Sequence, residues 1–123
     1  MLPPGHYDRG VPDCLFCGIA AGTIPATIVL DEKRVIAFRD ITPQAPTHVL
    51  VIPKRHAAHL GEFVAQAQSD EIGRLFALAS KVGTDAGGGG YRVVVNEGKD
   101  GGQTVFHLHL HVLAGRRMHW APG

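Results

Sequence analysis

The run QTVFHLHLHVLAG, residues 103–115, sets His107, His109 and His111 at every second position of an otherwise apolar segment. Successive side chains of an extended strand point to opposite faces, so the three imidazoles are expected to share one face. Phe106, Leu108, Leu110 and Val112 would then share the other. A face that was merely solvated would more naturally carry Thr, Lys or Glu than a titratable ring three times running. The three rings therefore read as one site, and two chemistries suit them. A metal hydrolase takes His-x-His from a strand plus a third ligand, binds zinc and activates a water. Alternatively, one neutral imidazole attacks an electrophilic phosphorus, its neighbours donate to the phosphate oxygens, and a phospho-histidine intermediate is later hydrolysed. With an unperturbed pKa of about 6.5, histidine supplies both the neutral nucleophile and the charged donor near neutral pH. The residues alone leave both chemistries open.

A second group of chemically capable residues stands apart in sequence. Cys14-Leu15-Phe16-Cys17 is a C-x-x-C, and His56 and His59 follow in IPKRHAAH. No strand leads into the C-x-x-C, which disfavours a thioredoxin-like redox role. Two buried apolar cysteines are one reading, since free Cys often behaves as a small hydrophobe. Structural zinc is the other, and it would require two histidines to complete four ligands. Two Gly-rich segments invite comparison with nucleotide motifs. GGGG, residues 87–90, leads into a strand rather than a helix, and GKDGGQT, residues 98–104, lacks P-loop spacing. Lying beside the His run, GKDGGQT offers backbone N–H groups as a nest for phosphate oxygens.

These residues need a scaffold. Residues 1–13 are rich in Pro, Gly and charge and read as a flexible N-terminal tail, with one domain over 14–123 that includes the terminal segment 115–123. A short helix is expected over 13–21, stopped by Gly22, then strands at 26–31 and 34–39 spaced as a hairpin. The prolines of ITPQAPT force an irregular loop before a third strand, THVLVIP. From Ser69, a capping residue followed by Asp70 and Glu71, the residues Ile72, Leu75, Phe76, Ala79 and Val82 recur at helical spacing. YRVVVNE is the fourth strand and VFHLHLHVL the fifth. Strands in runs, with helices set aside, indicate an antiparallel α+β sheet.

Composition narrows the function. With 123 residues, 45% hydrophobic and 19% charged, the chain suits one globular domain able to bury a core without staples. A net charge of +1 with neutral His provides no basic stripe, which argues against nucleic-acid binding and limits any bound nucleotide to a small one. No apolar run reaches the roughly 18 residues of a membrane span, and MLPPGHYDRG lacks a signal-peptide core. A cytoplasmic location with reduced thiols is expected.

The chain from Cys14 to Gly123 resembles the histidine-triad (HIT) superfamily, His-x-His-x-His with apolar x, and specifically its Hint branch of nucleoside phosphoramidases. The matching segments are IPATIVLDE, AFRDITPQAPTHVLVIPKRH, YRVVVNEGKDGGQT, VFHLHLHVLAGR and MHWAPG. The resemblance implies a HIT-like α+β fold with a five-stranded antiparallel sheet, one long helix and one short one. It also implies a homodimer and binding of purine nucleoside monophosphates such as AMP or GMP. Carried over by position, His109 would be the nucleophile, His111 would contact the phosphate, and His107 and His48 would form a supporting imidazole relay. Asp40 would hold the ribose hydroxyls, as a carboxylate can accept from both. Phe16, Phe38 and Ile41 would form the base pocket, and Asn96, Gly102, Gln103 and Thr104 would surround the phosphate and leaving group.

Thr104 stands where many Hint proteins carry Ser; it keeps the hydroxyl and adds a methyl group. Ala121 replaces a common Pro. The cysteines resemble those of bacterial relatives, which implies structural zinc on Cys14, Cys17, His56 and His107 and a metal-free nucleophile. The terminal Trp120 would help shape the partner subunit's leaving-group side, with the long helix and YRVVVNE at the two-fold contact. The activity so implied is hydrolysis of purine nucleoside phosphoramidates, with aminoacyl-adenylates as further substrates. Dinucleoside polyphosphate hydrolysis or nucleotidyl transfer is the alternative among enzymes, and a nucleotide-binding interaction protein is the alternative of another class.

Overall fold

The computed structural model describes residues 13–123, so all but the last residue of the expected tail lies outside the described residues. Five strands form one antiparallel sheet in the order β1-β2-β3-β5-β4: β1 Ile28–Asp31, β2 Val35–Arg39, β3 Thr47–Pro53, β4 Tyr91–Val95 and β5 Leu110–Ala114. Three helices accompany it, α1 Leu15–Ala21, α2 Leu60–Gln66 and α3 Ser69–Asp85. The α+β class and five-stranded sheet agree with expectation, while α2 is an addition to the expected pair of helices.

Strand alternation divides the molecule into two cores. Val35 and Ala37 of β2, Val49 and Val51 of β3, and Leu110 and Val112 of β5 all face α3, packing on Leu75, Leu78, Ala79 and Val82. The intervening residues Ile36, Phe38, Leu50 and Ile52 face the other way and pack on Phe16 and Ile19 of α1. Register carries this face to the histidines: Leu50 stands opposite His111, and Val49 opposite Val112. The sheet thus holds its apolar side against α3 and presents the imidazoles on the side of α1.

Helices α1 and α3 are defined locally. Gly22 ends α1 in a left-handed conformation, φ +80, and its N–H bonds the carbonyls of Gly18 and Ile19, a termination that favours glycine. Helix α3 begins at Ser69, but the cap residue is Gln68 rather than Ser69, and its N–H is accepted by the Glu71 carboxylate at 3.2 Å. Phe76, expected in the buried stripe, is exposed, and Leu78 fills that role instead. The fifth strand is shorter than VFHLHLHVL. Residues 105–109 lie outside the ladder, and Phe106 is 62% exposed instead of sharing the apolar face with Leu108. Among the described residues no helix is long and apolar enough to cross a membrane.

Candidate functional site

The three histidines follow the sheet's alternation even where the ladder stops, and hydrogen bonds fix how each ring is turned. His107 is fully buried, and its Nε2 lies 2.8 Å from the Pro53 carbonyl. A carbonyl only accepts, so Nε2 carries the proton and Nδ1 keeps its lone pair. That Nδ1 faces Cys14 Sγ at 3.4 Å, Cys17 Sγ at 3.5 Å and His56 Nδ1 at 3.3 Å, and Cys17 Sγ lies 3.2 Å from His56 Nδ1. Burial, helped by the neighbouring His56 and His109, pushes the pKa of His107 down to about 4, against the pull of the Pro53 carbonyl. The ring is therefore a neutral ligand rather than a cation.

The four donor atoms of Cys14, Cys17, His56 and His107 all lie within 4.8 Å of one another. Tetrahedral zinc with bonds of about 2.0–2.3 Å separates its donors by roughly 3.3–3.8 Å. Three of the four separations fall within that range and the fourth, 3.2 Å, just below it, and a Cys₂His₂ set is a usual structural zinc complement. The elements supply the ligands directly. Cys14 is the N-cap of α1, its Sγ accepting the Cys17 N–H at 3.3 Å, so the first turn aims both sulfurs the same way. His56 follows the end of β3, beside Arg55, whose guanidinium makes a bidentate pair with the buried Glu71 of α3 at 2.8 and 2.9 Å.

His109 is turned the opposite way. Its Nδ1 lies 2.7 Å from the carbonyl of His107, so Nδ1 carries the proton and Nε2 keeps the lone pair. The ring is only 7% exposed and is held edge-on by Phe16, with centroids 5.2 Å apart. His111 lies beside it, centroids 5.0 Å apart.

A chain of donors orients His111. The Gln44 N–H donates to His48 Nδ1 at 3.0 Å, which places the His48 proton on Nε2. That Nε2 lies 2.9 Å from His111 Nδ1 and 3.4 Å from Asp40 Oδ2. His111 Nδ1 is then an acceptor, and its Nε2 carries the proton as a donor. Burial lowers the pKa of His48, with Asp40 opposing. Burial, together with His109 and His48, lowers that of His111 to about 4, again opposed by Asp40. Asp40 Oδ1 accepts the Thr42 N–H at 2.7 Å, fixing the loop that follows β2.

The remaining expected site residues are placed unevenly. Phe16 and Phe38 pack edge to face, centroids 5.4 Å apart, within the core on the α1 side, whereas Ile41 is 97% exposed. Asn96 is half-buried just past β4, and Gly102 and Thr104 are exposed in the loop that leads to the histidines. Gln103 is buried, and its amide is used inside the protein. Its Oε1 accepts from Gly98, and its Nε2 donates to the carbonyls of Ala58 and Val105. The loop closes on itself, with the Gly102 and Gln103 N–H groups also bonded within it and no room for a side chain at Gly101, where a Cβ would meet the Glu97 carbonyl at 2.2 Å. Trp120 is 87% exposed and so does not pack on the described residues of its own chain.

His107 lies with the cysteines, as the resemblance implied, but of the imidazole relay also expected of it the structure shows only a backbone contribution: its carbonyl meets His109 Nδ1, while His48 makes its imidazole contact with His111. Sequence reasoning also missed Gln44, whose N–H sets the tautomer of His48; only the turn in ITPQAPT brings it there.

The pattern of the HIT domain matches residues 21–118. The chain belongs to the HIT domain family. A HIT relative from Brassica juncea named 14 kDa zinc-binding protein is 43% identical over 113 residues, covering 90% of this chain and all of that one. The crystal structure of a HIT family hydrolase from Legionella pneumophila Philadelphia 1 is 46% identical, covers 90% of this chain and all of its own, and superposes with a TM-score of 0.82. A histidine triad nucleotide-binding protein from Candida albicans is 31% identical over 81% of this chain and 73% of its own, with a TM-score of 0.71. The five-stranded antiparallel fold is thus that of a HIT protein.

Proposed function

We propose that the protein is a HIT hydrolase that cleaves the P–N bond of purine nucleoside phosphoramidates through a nucleotidyl-His109 intermediate. The observation that carries this reading is the bond from His109 Nδ1–H to the His107 carbonyl, which selects the tautomer whose lone pair is on Nε2. His109 Nε2 attacks the α-phosphorus; the N–P bond forms, the P–N bond to the leaving group breaks, and the departing nitrogen takes a proton from solvent. Thr104, in the loop before the histidines, is the hydroxyl assigned to that leaving group. His111 Nε2–H, aligned through His48, donates to a phosphate oxygen as charge builds there. Water then attacks phosphorus, the His109–phosphorus bond breaks, and the nucleoside monophosphate departs with one water proton passing to solvent.

Asp40 is assigned to the ribose hydroxyls, since a carboxylate that accepts from Thr42 and faces His48 still has lone pairs to offer. Phe16, Phe38 and Ile41 are assigned to the base, and Asn96, Gly102 and Gln103 to the phosphate surroundings. Gln103 acts there by bracing the loop. Zinc on Cys14, Cys17, His56 and His107 ties α1 to the sheet when bound, and its thiolates suit a reducing, cytoplasmic setting. The name of the Brassica juncea relative supports that ion, and the name of the Candida albicans structure supports a nucleotide ligand.

Edge strand β4, with Tyr91 and Val93 exposed, and the exposed Trp120 support a homodimer in which each tail completes the partner's leaving-group side. Ranking kcat/KM for adenosine phosphoramidate, lysyl-adenylate and diadenosine polyphosphates tests the substrate class. The first two are expected to lead. A lead for diadenosine polyphosphates would make the protein a dinucleoside polyphosphate hydrolase instead, and binding without turnover of any of them would make it a nucleotide-binding interaction protein.

A further inference from the structure

The metal cluster and the nucleophile are joined by two short physical links. The first is His107, which offers its ring to the cluster and its backbone carbonyl to His109 Nδ1 at 2.7 Å. The second is Phe16, held between Cys14 and Cys17 on the first turn of α1, with its ring edge-on to His109 at 5.2 Å and to His107 at 6.1 Å. Without an ion, two ring nitrogens 3.3 Å apart and two weakly donating thiols hold the cluster together. Residues 105–109 have no strand partner to compensate; Leu108 N–H to the Ala57 carbonyl is a backbone bond holding this stretch. We propose that His107 and Phe16 are positioning residues through which occupancy of the Cys14, Cys17, His56, His107 cluster sets the tautomer and aim of His109. The ion takes no part in the chemistry. It fixes the ring of His107, hence the plane of its carbonyl, hence the proton on His109 Nδ1 and the lone pair on Nε2. This rests on the nucleophilic role given to His109 above and adds to it a dependence on the cluster.

The test compares zinc-loaded, chelator-stripped and His56→Ala full-length protein, the variant losing one cluster donor without touching His109. Ring ¹⁵N spectra of His109 report its tautomer with no substrate present. Zinc-loaded protein is expected to hold the Nδ1–H form, and the other two to show a mixture of tautomers that zinc ion alone reverses in the stripped protein. For adenosine phosphoramidate, kcat is expected to fall about 10-fold or more while the Kd for AMP stays within about 2-fold, the size seen when partners orienting a reactive group are lost. Phe16→Leu, which retains all four donors, is expected to keep its zinc and still show the mixed tautomer, and it serves as the second arm should metal-free protein unfold. An unchanged Nδ1–H signal and unchanged kcat in stripped protein and in His56→Ala would overturn the proposal, as would an unchanged signal in Phe16→Leu if the stripped protein unfolds. A tautomer that responds to zinc in a protein that hydrolyses no phosphoramidate would leave the positioning role intact and overturn the function proposed above.

Discussion

Two imidazole clusters lie side by side on one face of the same sheet, and they are built to opposite ends. In the first, His107 donates Nε2–H to a carbonyl and turns its lone pair inward, toward two sulfurs and His56. In the second, His109 donates Nδ1–H to a carbonyl and keeps Nε2 as its lone pair, while His111 receives its proton assignment from Gln44 by way of His48. The same side chain is thus fitted to the proposed roles of metal ligand, nucleophile or donor according to which nitrogen meets a backbone group. Histidine identity is shared across the run; backbone partners divide the labour.

The sharpest way to break this contrast is to remove the proposed nucleophile. His109→Ala is expected to lower turnover by about 10⁴-fold or more, near 5.5 kcal/mol, while AMP binding changes only slightly because the ribose and base contacts are assigned to other residues. A rate within about 10-fold of the parent in single-turnover assays would remove His109 from that role.

Next in size is a change confined to the metal side. Glu71 is 2% exposed, and its pKa is lowered chiefly by hydrogen bonds from Arg55, with Arg34 and the Gln68 N–H helping against burial. A carboxyl lowered on folding adds stability that is present above its unfolded value and is lost as pH falls through the folded one. Glu71→Gln, which removes the buried carboxylate that Arg55 and Arg34 face, is expected to cost about 3 kcal/mol at pH 7 in denaturant unfolding. The gap from the parent should narrow below about pH 4.5, the ordinary value for this carboxyl. An equal gap at every pH would refute the pairing argument.

Smaller still is the effect of cutting the donor chain. His48→Leu fills the space but gives His111 Nδ1 no partner, and kcat is expected to fall about 10- to 100-fold, or roughly 1.4–2.7 kcal/mol, with zinc content unchanged. Loss of zinc in this variant would show that the two clusters are not separate. The smallest expected effect is at the tail. Truncation after Arg117 should leave a dimer by light scattering and shift preference among amine leaving groups by about 3- to 10-fold, up to some 1.4 kcal/mol, most for bulky amines. A monomer, or a dimer with unaltered preference, would contradict a tail that acts on its partner.

Alternation made the His run legible, its period-2 spacing setting three imidazoles on one face. Strands β2 and β3 were legible as strands but not by face, because VIAFR and THVLVIP are largely apolar on both sides, one side packing on α3 and the other on α1. Helix α2 escaped notice because its N-cap is His59, which accepts the Glu62 N–H through Nδ1 and is not among the usual capping residues. The early end of the fifth strand escaped for a different reason. Gln103 ties Val105 and Ala58 together, drawing the chain off the ladder and leaving Phe106 in solvent, and no local pattern records a side chain satisfied at that range. The four cluster residues were legible through family likeness, whereas the choice of nitrogen on each ring was not. That choice depends on Pro53, Gln44 and the His107 carbonyl, tertiary neighbours that appear only once the chain is folded.

The most direct measurement is an acid quench of the zinc-loaded protein during turnover of labelled adenosine phosphoramidate, followed by mapping of the label. The expected result is AMP on Nε2 of His109, formed and hydrolysed at rates compatible with kcat. Label on any other residue, or turnover at full rate with no trapped nucleotide, would contradict the His109 lone pair as the nucleophile and return the chemistry to an activated water.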